Sequence, residues 1–136
     1  MPKRMQRTRR AVPGIPEGCI YVGRPSSWGN PAKIGEWYWS ETRHERENRK
    51  SVYVENNILA VALFYEYCMD MADEDIGAFT RWLLPLAGRD VCCWCSTESI
   101  CHGDILLYLA GLIKDGEFQK PEKWPSLHEI TMGRSF

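Results

Sequence analysis

The segment Asp90-Val-Cys-Cys-Trp-Cys-Ser-Thr-Glu-Ser-Ile-Cys-His-Gly-Asp104 constrains this chain more than any other. It gathers four of the six cysteines, one of the three histidines and an acid into fifteen residues. Val91 to Trp94 read as a short buried strand. Ile105, Leu106, Leu109, Leu112 and Ile113 then recur at helical spacing, which predicts a helix from about Cys101 to Lys114 with Gly116 as its C′ residue. Cys101, His102 and Asp104 fall in the first turn, just beyond the carboxyl end of a strand. Open α/β sheets place ligand sites there, because the unpaired N–H groups and the helix dipole favour an anion or a thiolate.

The rest of the chain fits a frame built around that unit. Cys19 to Val22 predict a strand ended by Gly23. Met5 to Arg9 predict another, with Arg7 and Arg9 on one face and Gln6 and Thr8 on the other. Pro13-Gly-Ile-Pro16 and Glu17-Gly18 are turn chemistry, and Gly23 to Pro31 is too rich in Gly and Pro for a regular element. Lys33 to Ser40 suits a hairpin strand. Glu41 to Lys50 is a charge run, with His44 expected to be solvated. Ile58, Val61, Ala62, Tyr65, Cys68, Met69 and Ala72 lie at i, i+3, i+4, i+7 spacing, with Leu59, Leu63 and Tyr67 as a second apolar stripe. Asp73 is the expected N-cap of a second helix whose inner face is Ile76, Phe79, Leu83 and Leu86, ended by Pro85 and Gly88. The order implies an α/β fold: a small single-domain Rossmann-like three-layer or two-layer sandwich with a mostly parallel sheet, over residues 1–116. Residues 117–136 are expected to form a tail that packs on the domain or makes an oligomer contact.

Composition narrows the function. The chain is 44% hydrophobic and 26% charged, with a net charge of −1. Such a balance argues against a general polyanion binder, although Lys3, Arg4, Arg7, Arg9 and Arg10 form a basic start that could touch phosphate. A solvated edge strand is the simpler reading of that start. No apolar run reaches the roughly 20 residues of a bilayer span, and the beginning has no signal-type segment. The expectation is a cytoplasmic protein with reduced cysteines, no membrane partner and no nucleic-acid partner.

Two constellations carry chemistry. In the first, Cys93 and Cys95 share a face of an extended segment, and Cys101 and His102 can fold back to them. Three thiolates and an imidazole would close a tetrahedral zinc site, although adjacent Cys and His on a helix point about 100° apart. Otherwise Cys101, at a helix start beside His102, should have a lowered pKa and act as a nucleophile, with His102 carrying protons and Asp104 as base or ligand acceptor. The plain alternative is that Cys92, Cys93 and Cys95 fill the core while Cys101 and His102 cap the helix. In the second constellation, Gly23 allows close approach to the backbone and Arg24 offers a planar fork for phosphate. Ser26 supplies a hydroxyl, Trp28 a stacking face, Gly29 a turn and Asn30 an amide. The pattern is no Walker or dinucleotide fingerprint, and a loop that merely needs to turn explains it equally. Trp37, Tyr38 and Trp39 suit a core or an interface.

Taken together these motifs resemble domain of unknown function 4326, a family of small phage and bacterial proteins. The resemblance rests on Arg4-Met-Gln-Arg-Thr-Arg9, Pro16-Glu-Gly-Cys-Ile-Tyr-Val-Gly-Arg-Pro25, Trp28-Gly-Asn-Pro31, Gly88-Arg-Asp-Val-Cys-Cys-Trp-Cys95 and Cys101-His-Gly-Asp-Ile-Leu-Leu107. It spans roughly the first 111 residues. Ala32 stands where the family usually has Phe, and the charged stretch Glu41–Lys50 and the tail depart from it. The resemblance implies a compact α/β domain and no particular activity.

The leading expectation is one crevice between the Gly23–Pro31 and Cys95–Asp104 loops that binds a nucleotide or phosphorylated nucleoside-type small molecule, as a phage-type sequestering protein would. Gly23, Arg24, Ser26, Trp28, Gly29, Asn30, Trp94, Cys95, Cys101, His102 and Asp104 are its candidate contacts. Trp28 or Trp94 would stack the base, while Asn30 and Asp104 would bond its polar edge. The first alternative is an enzyme acting on a nucleotide or N-glycosidic bond through Cys101, His102 and Asp104. The second is a zinc-stabilised nucleic-acid module using Cys93, Cys95, Cys101 and His102. Zinc is the one cofactor considered, and homo-oligomerisation is open.

Overall fold

The computed structural model describes residues 2–7, 18–39, 51–95 and 97–132. The expected turn at 13–16, the charge run, His44, Arg9 and Arg10 lie outside those residues. The elements are β1 (Arg4–Gln6), β2 (Cys19–Tyr21), β3 (Trp37–Trp39), β4 (Ser51–Tyr53), α1 (Asn57–Glu74), α2 (Ile76–Leu83), a 3-10 turn (Leu84–Leu86), β5 (Asp90–Cys93), α3 (His102–Ala110), β6 (Ile113–Lys114), β7 (Glu117–Phe118) and α4 (Leu127–Met132). The protein is mixed α/β. Its central sheet has the order β1-β5-β2 with both pairings parallel, and β3-β4 and β6-β7 form separate antiparallel pairs.

Register decides which side chains face the core. Arg4 lies beside Val91, which lies beside Ile20; Gln6 lies beside Cys93. Two-residue periodicity therefore puts Arg4, Ile20, Val91 and Cys93 on one face, and Met5, Cys92 and Tyr21 on the other. The first face closes the main core, where Val22, Val91 and Cys93 meet Val61, Phe64 and Cys68 of α1, Phe79 and Leu83 of α2, and Ile105, Leu106 and Leu109 of α3. A smaller cluster of Ala32, Val54, Ala60 and Leu63 seats the β3-β4 hairpin on α1. Ala32, the departure from the family pattern, is buried there.

Several boundaries differ from the sequence reading. β1 begins at Arg4 instead of Met5, so an arginine occupies an inward position. α1 runs on to Glu74, and Asp75, not Asp73, caps α2 by accepting from the Ala78 N–H at 3.0 Å. With the cap at Asp75, Phe79 and Leu83 face inward; Ile76 and Ile58 end up exposed. α3 stops at Ala110, not Lys114. Asp115 (φ 55°) and Gly116 (φ 78°) are both left-handed, the Asp-Gly signature of a tight hairpin, and this turn captures Ile113 and Lys114 as strand β6. Gly116 is thus a hairpin residue, not a helix C′ residue. Past it, Phe118 and Ile130 join the main core and Trp124 packs against it. No described helix is long and apolar enough to cross a membrane.

Candidate functional site

Because β2 and β5 are parallel neighbours, the loops that follow them leave the same end of the sheet. They enclose a cleft of about 350 Å³. Gly23, Arg24 and Asn30 come from the first loop; Cys93, Trp94, Cys95 and His102 come from the second unit. Lys33, Ile34 and Glu36, from the approach to β3, and Asn57 and Val61, from α1, complete much of the wall. Arg24, Lys33 and Glu36 are exposed at the rim, whereas Cys93 and His102 are buried.

The other expected contacts stand apart from this wall. Ser26, Trp28, Gly29, Cys101 and Asp104 are not among its lining residues. Trp28 packs on the core, and its ring N–H donates to the Trp82 carbonyl at 2.9 Å. The Trp82 ring N–H returns a bond to Ser27 at 3.1 Å, tying loop to α2. Asn30 lines the cleft but has both amide ends committed: Nδ2 donates to the Ala60 carbonyl and Oδ1 accepts from the Ala32 N–H, each at 2.9 Å. Gly23 is required by a neighbouring side chain, since a Cβ there would lie 2.4 Å from the Tyr21 hydroxyl. Tyr21 in turn donates to the Arg24 carbonyl at 2.7 Å.

The residue that the sequence reading missed is Arg4. Its side chain is almost wholly enclosed and forms a salt bridge from Nε to Asp104 Oδ1 at 2.9 Å. Its Nη1 donates to the Cys95 carbonyl at 3.2 Å and approaches Cys93 Sγ at 3.8 Å; Nη2 donates to the Ser99 carbonyl at 2.6 Å. One guanidinium therefore fixes both ends of the cysteine loop and the start of α3. Gly103 makes room for it, because a Cβ there would meet Arg4 Cδ at 2.9 Å. The signal was the alternation of β1 itself, which places Arg4 on the same face as Gln6. The buried acid that answers it is 100 residues away, beyond any local pattern. Arg7 is also occupied, its guanidinium lying 4.7 Å from the ring centres of both Tyr21 and Trp94.

Asp104 has a second task. Its Oδ2 accepts from the Cys101 N–H at 2.9 Å, while Cys101 Sγ accepts from the Gly103 N–H at 3.4 Å. This reciprocal cap starts α3 with a cysteine in the place of the usual Ser or Thr. The capping expectation holds for Cys101.

The thiols of Cys93, Cys95 and Cys101 lie within 4.8 Å of one another. Cys93 Sγ and Cys101 Sγ are 2.9 Å apart. All six cysteines are free, with Cys19, Cys68 and Cys92 outside this group. His102 does not belong to the group either. Its Nδ1 lies 3.4 Å from Cys101 Sγ, and its Nε2 lies 2.8 Å from the Val22 carbonyl. A carbonyl only accepts, so Nε2 carries the proton and Nδ1 presents a lone pair to the thiols. Burial holds the His102 pKa below its ordinary value, which keeps the ring neutral.

Cys101 is 1% exposed, and hydrogen bonding to Cys93 and Cys95 together with burial drives its pKa up, opposite in direction to the lowering expected at a helix start. The same contacts act the other way on Cys93, whose pKa is lowered by hydrogen bonds from Cys101 and Cys95, with Arg4 assisting.

Fold and site together define a small α/β domain with a cleft at the parallel strand ends, where Cys93 and Cys95 line the wall, Cys101 lies behind them and a buried Arg–Asp pair holds the loop. The chain belongs to the family described as Domain of unknown function (DUF4326), whose model matches residues 5–111. No curated protein and no solved structure matches the chain at a significant level.

Proposed function

We propose that the cleft binds a nucleotide or phosphorylated nucleoside-type small molecule. The observation that carries this reading is its polarity gradient: exposed Arg24 and Lys33 at the rim, the aromatic walls of Tyr21 and Trp94, and a buried floor of Cys93 and His102. Cations at the mouth suit phosphate, and rings below suit a base. A cleft at the carboxyl ends of parallel strands supports this reading, since open α/β sheets bind ligands there. Trp94 is 44% exposed, so it retains an accessible ring surface beside the Arg7 stack.

Binding fits better than catalysis by Cys101, His102 and Asp104. Asp104 is committed to Arg4 and the Cys101 N–H, and Cys101 is enclosed. A nucleic-acid module fits less well, since Arg4 and Arg7 of the basic start are used within the domain. Zinc is the cofactor that the described residues suit, through the converging thiols of Cys93, Cys95 and Cys101.

The test is a thermal-shift and calorimetric panel of nucleotides, cyclic nucleotides and ADP-ribose-type compounds. Replacing Arg24 by Ala should leave the fold intact, because the side chain is exposed. Affinity should fall by roughly 1.5–3 kcal/mol, on the order of tenfold to a hundredfold. No stabilising compound, or an Arg24→Ala protein that binds as well as the parent, refutes the reading.

A further inference from the structure

We infer that Cys93, Cys95 and Cys101 form a three-thiolate centre for zinc whose fourth coordination position faces the cleft and takes a neutral ring nitrogen of the bound nucleotide. The inference rests on the cleft reading above for its ligand, and on the cysteine geometry for its metal.

The geometry suits a single ion. Two thiolates bound at about 2.3 Å to a tetrahedral zinc lie roughly 3.8 Å apart. The three sulfurs here are all within 4.8 Å of one another, and those of Cys93 and Cys101, 2.9 Å apart, would separate slightly to hold the ion. A pairwise bridge would leave the third sulfur unexplained. Their surroundings supply the outer support that zinc thiolates require: the Gly103 N–H donates to Cys101 Sγ at 3.4 Å, and Arg4 Nη1 lies 3.8 Å from Cys93 Sγ. Soft thiolates select thiophilic metals over magnesium or calcium.

The open position follows from what surrounds the trio. Cys93 and Cys95 line the cleft, and Cys101 is buried behind them. His102 stands next to the cluster without joining it. Three protein ligands and one open position are the pattern of exchangeable zinc sites. Charge selects the incoming group. A divalent ion with three thiolates carries −1, so a neutral heteroaromatic nitrogen is favoured there over a phosphate oxygen. The phosphate is then left to Arg24 and Lys33 at the rim, and the base enters first.

Cobalt(II) is the probe, added to the reduced, metal-stripped full chain. One equivalent should bind with thiolate-to-metal charge-transfer absorption and tetrahedral d–d bands. Imidazole should shift the d–d bands saturably, whereas inorganic phosphate should not. Cys101→Ser should abolish the charge-transfer signal while the protein stays folded, because serine is a good N-cap. Cys95→Ser, at a half-buried position, should do the same. His102→Gln should keep both the charge-transfer band and the imidazole shift. Failure to bind cobalt, absence of an imidazole shift, a shift caused by phosphate, or an imidazole response lost with His102→Gln each overturns the inference. Nucleotide binding that depends on Arg24, measured by calorimetry on the metal-free protein, would survive any of these results, so the two readings fail separately.

Discussion

Arg4 and Asp104 form a buried salt bridge at 2.9 Å. Both are buried, and each bonds to further groups at the site. Removing one partner of such a pair leaves an uncompensated buried charge and costs about 3–5 kcal/mol. Asp104→Ala should therefore lose about that much in chemical denaturation, the Cys101 cap included. Arg4→Met combined with Asp104→Leu should recover a large part of the loss, because neither charge is then stranded. A double variant as unstable as Asp104→Ala would show that geometry at α3, not charge pairing, carries the effect. Thiol reactivity should follow the same local logic. Cys68 is fully buried, and burial raises its pKa well above the ordinary thiol range. Cys93 and Cys95 border the cleft. Timed alkylation of the reduced, metal-free protein, read by peptide mass spectrometry, should modify the cleft cysteines first, Cys101 later and Cys68 only on unfolding. Modification of Cys68 ahead of the cleft would contradict the packing of α1.

At the scale of elements, the caps show how short-range chemistry positions long-range packing. Asp75→Ala removes the acceptor for the Ala78 N–H at the start of α2, and N-cap loss of this kind costs about 0.5–2 kcal/mol. Asp73→Ala, two residues earlier inside α1, should cost less than Asp75→Ala; the reverse order in urea midpoints would place the cap at Asp73 after all. The two strands flanking the site, α1, the core of α2 and the strand-to-helix switch at Cys101 were legible in the sequence, because each has its own periodicity or its own cap. The crevice between two strand-end loops was legible for the same reason: Cys19–Val22 and Val91–Trp94 could be read as strands before their neighbours were known. The β4 strand Ser51–Tyr53 and the β6-β7 hairpin were not. Ser51–Tyr53 adjoins the charge run, and the two-residue strands have too few positions to show alternation. The Arg4–Asp104 pair was hidden for a different reason, since its two members lie 100 residues apart in sequence.

At the scale of the whole molecule, the family match ends at residue 111, but the core does not. Phe118 is buried, with its ring 5.0 Å from Phe79 in an edge-to-face contact and stacked on Trp124 at 6.2 Å. Trp124 also meets Tyr65 edge-on, and the Tyr65 hydroxyl donates to the Pro125 carbonyl at 2.6 Å. The segment after Gly116 thus seals α1 and α2 on a side the matched region leaves uncovered. Phe118→Ala should cost about 3–5 kcal/mol, the usual range for deleting a buried phenyl ring. Ser126→Ala, which removes only an exposed bond to the Glu129 N–H, should cost under about 1 kcal/mol. Whole-domain stability is on the order of 5–15 kcal/mol, so a chain ending at Gly116 should lose a large fraction of it and expose Phe79 and Tyr65. Urea denaturation of the two point variants decides the matter. A Phe118→Ala protein within about 1 kcal/mol of the parent would mean that the tail is an accessory wrap and that residues up to Gly116 hold the cleft by themselves.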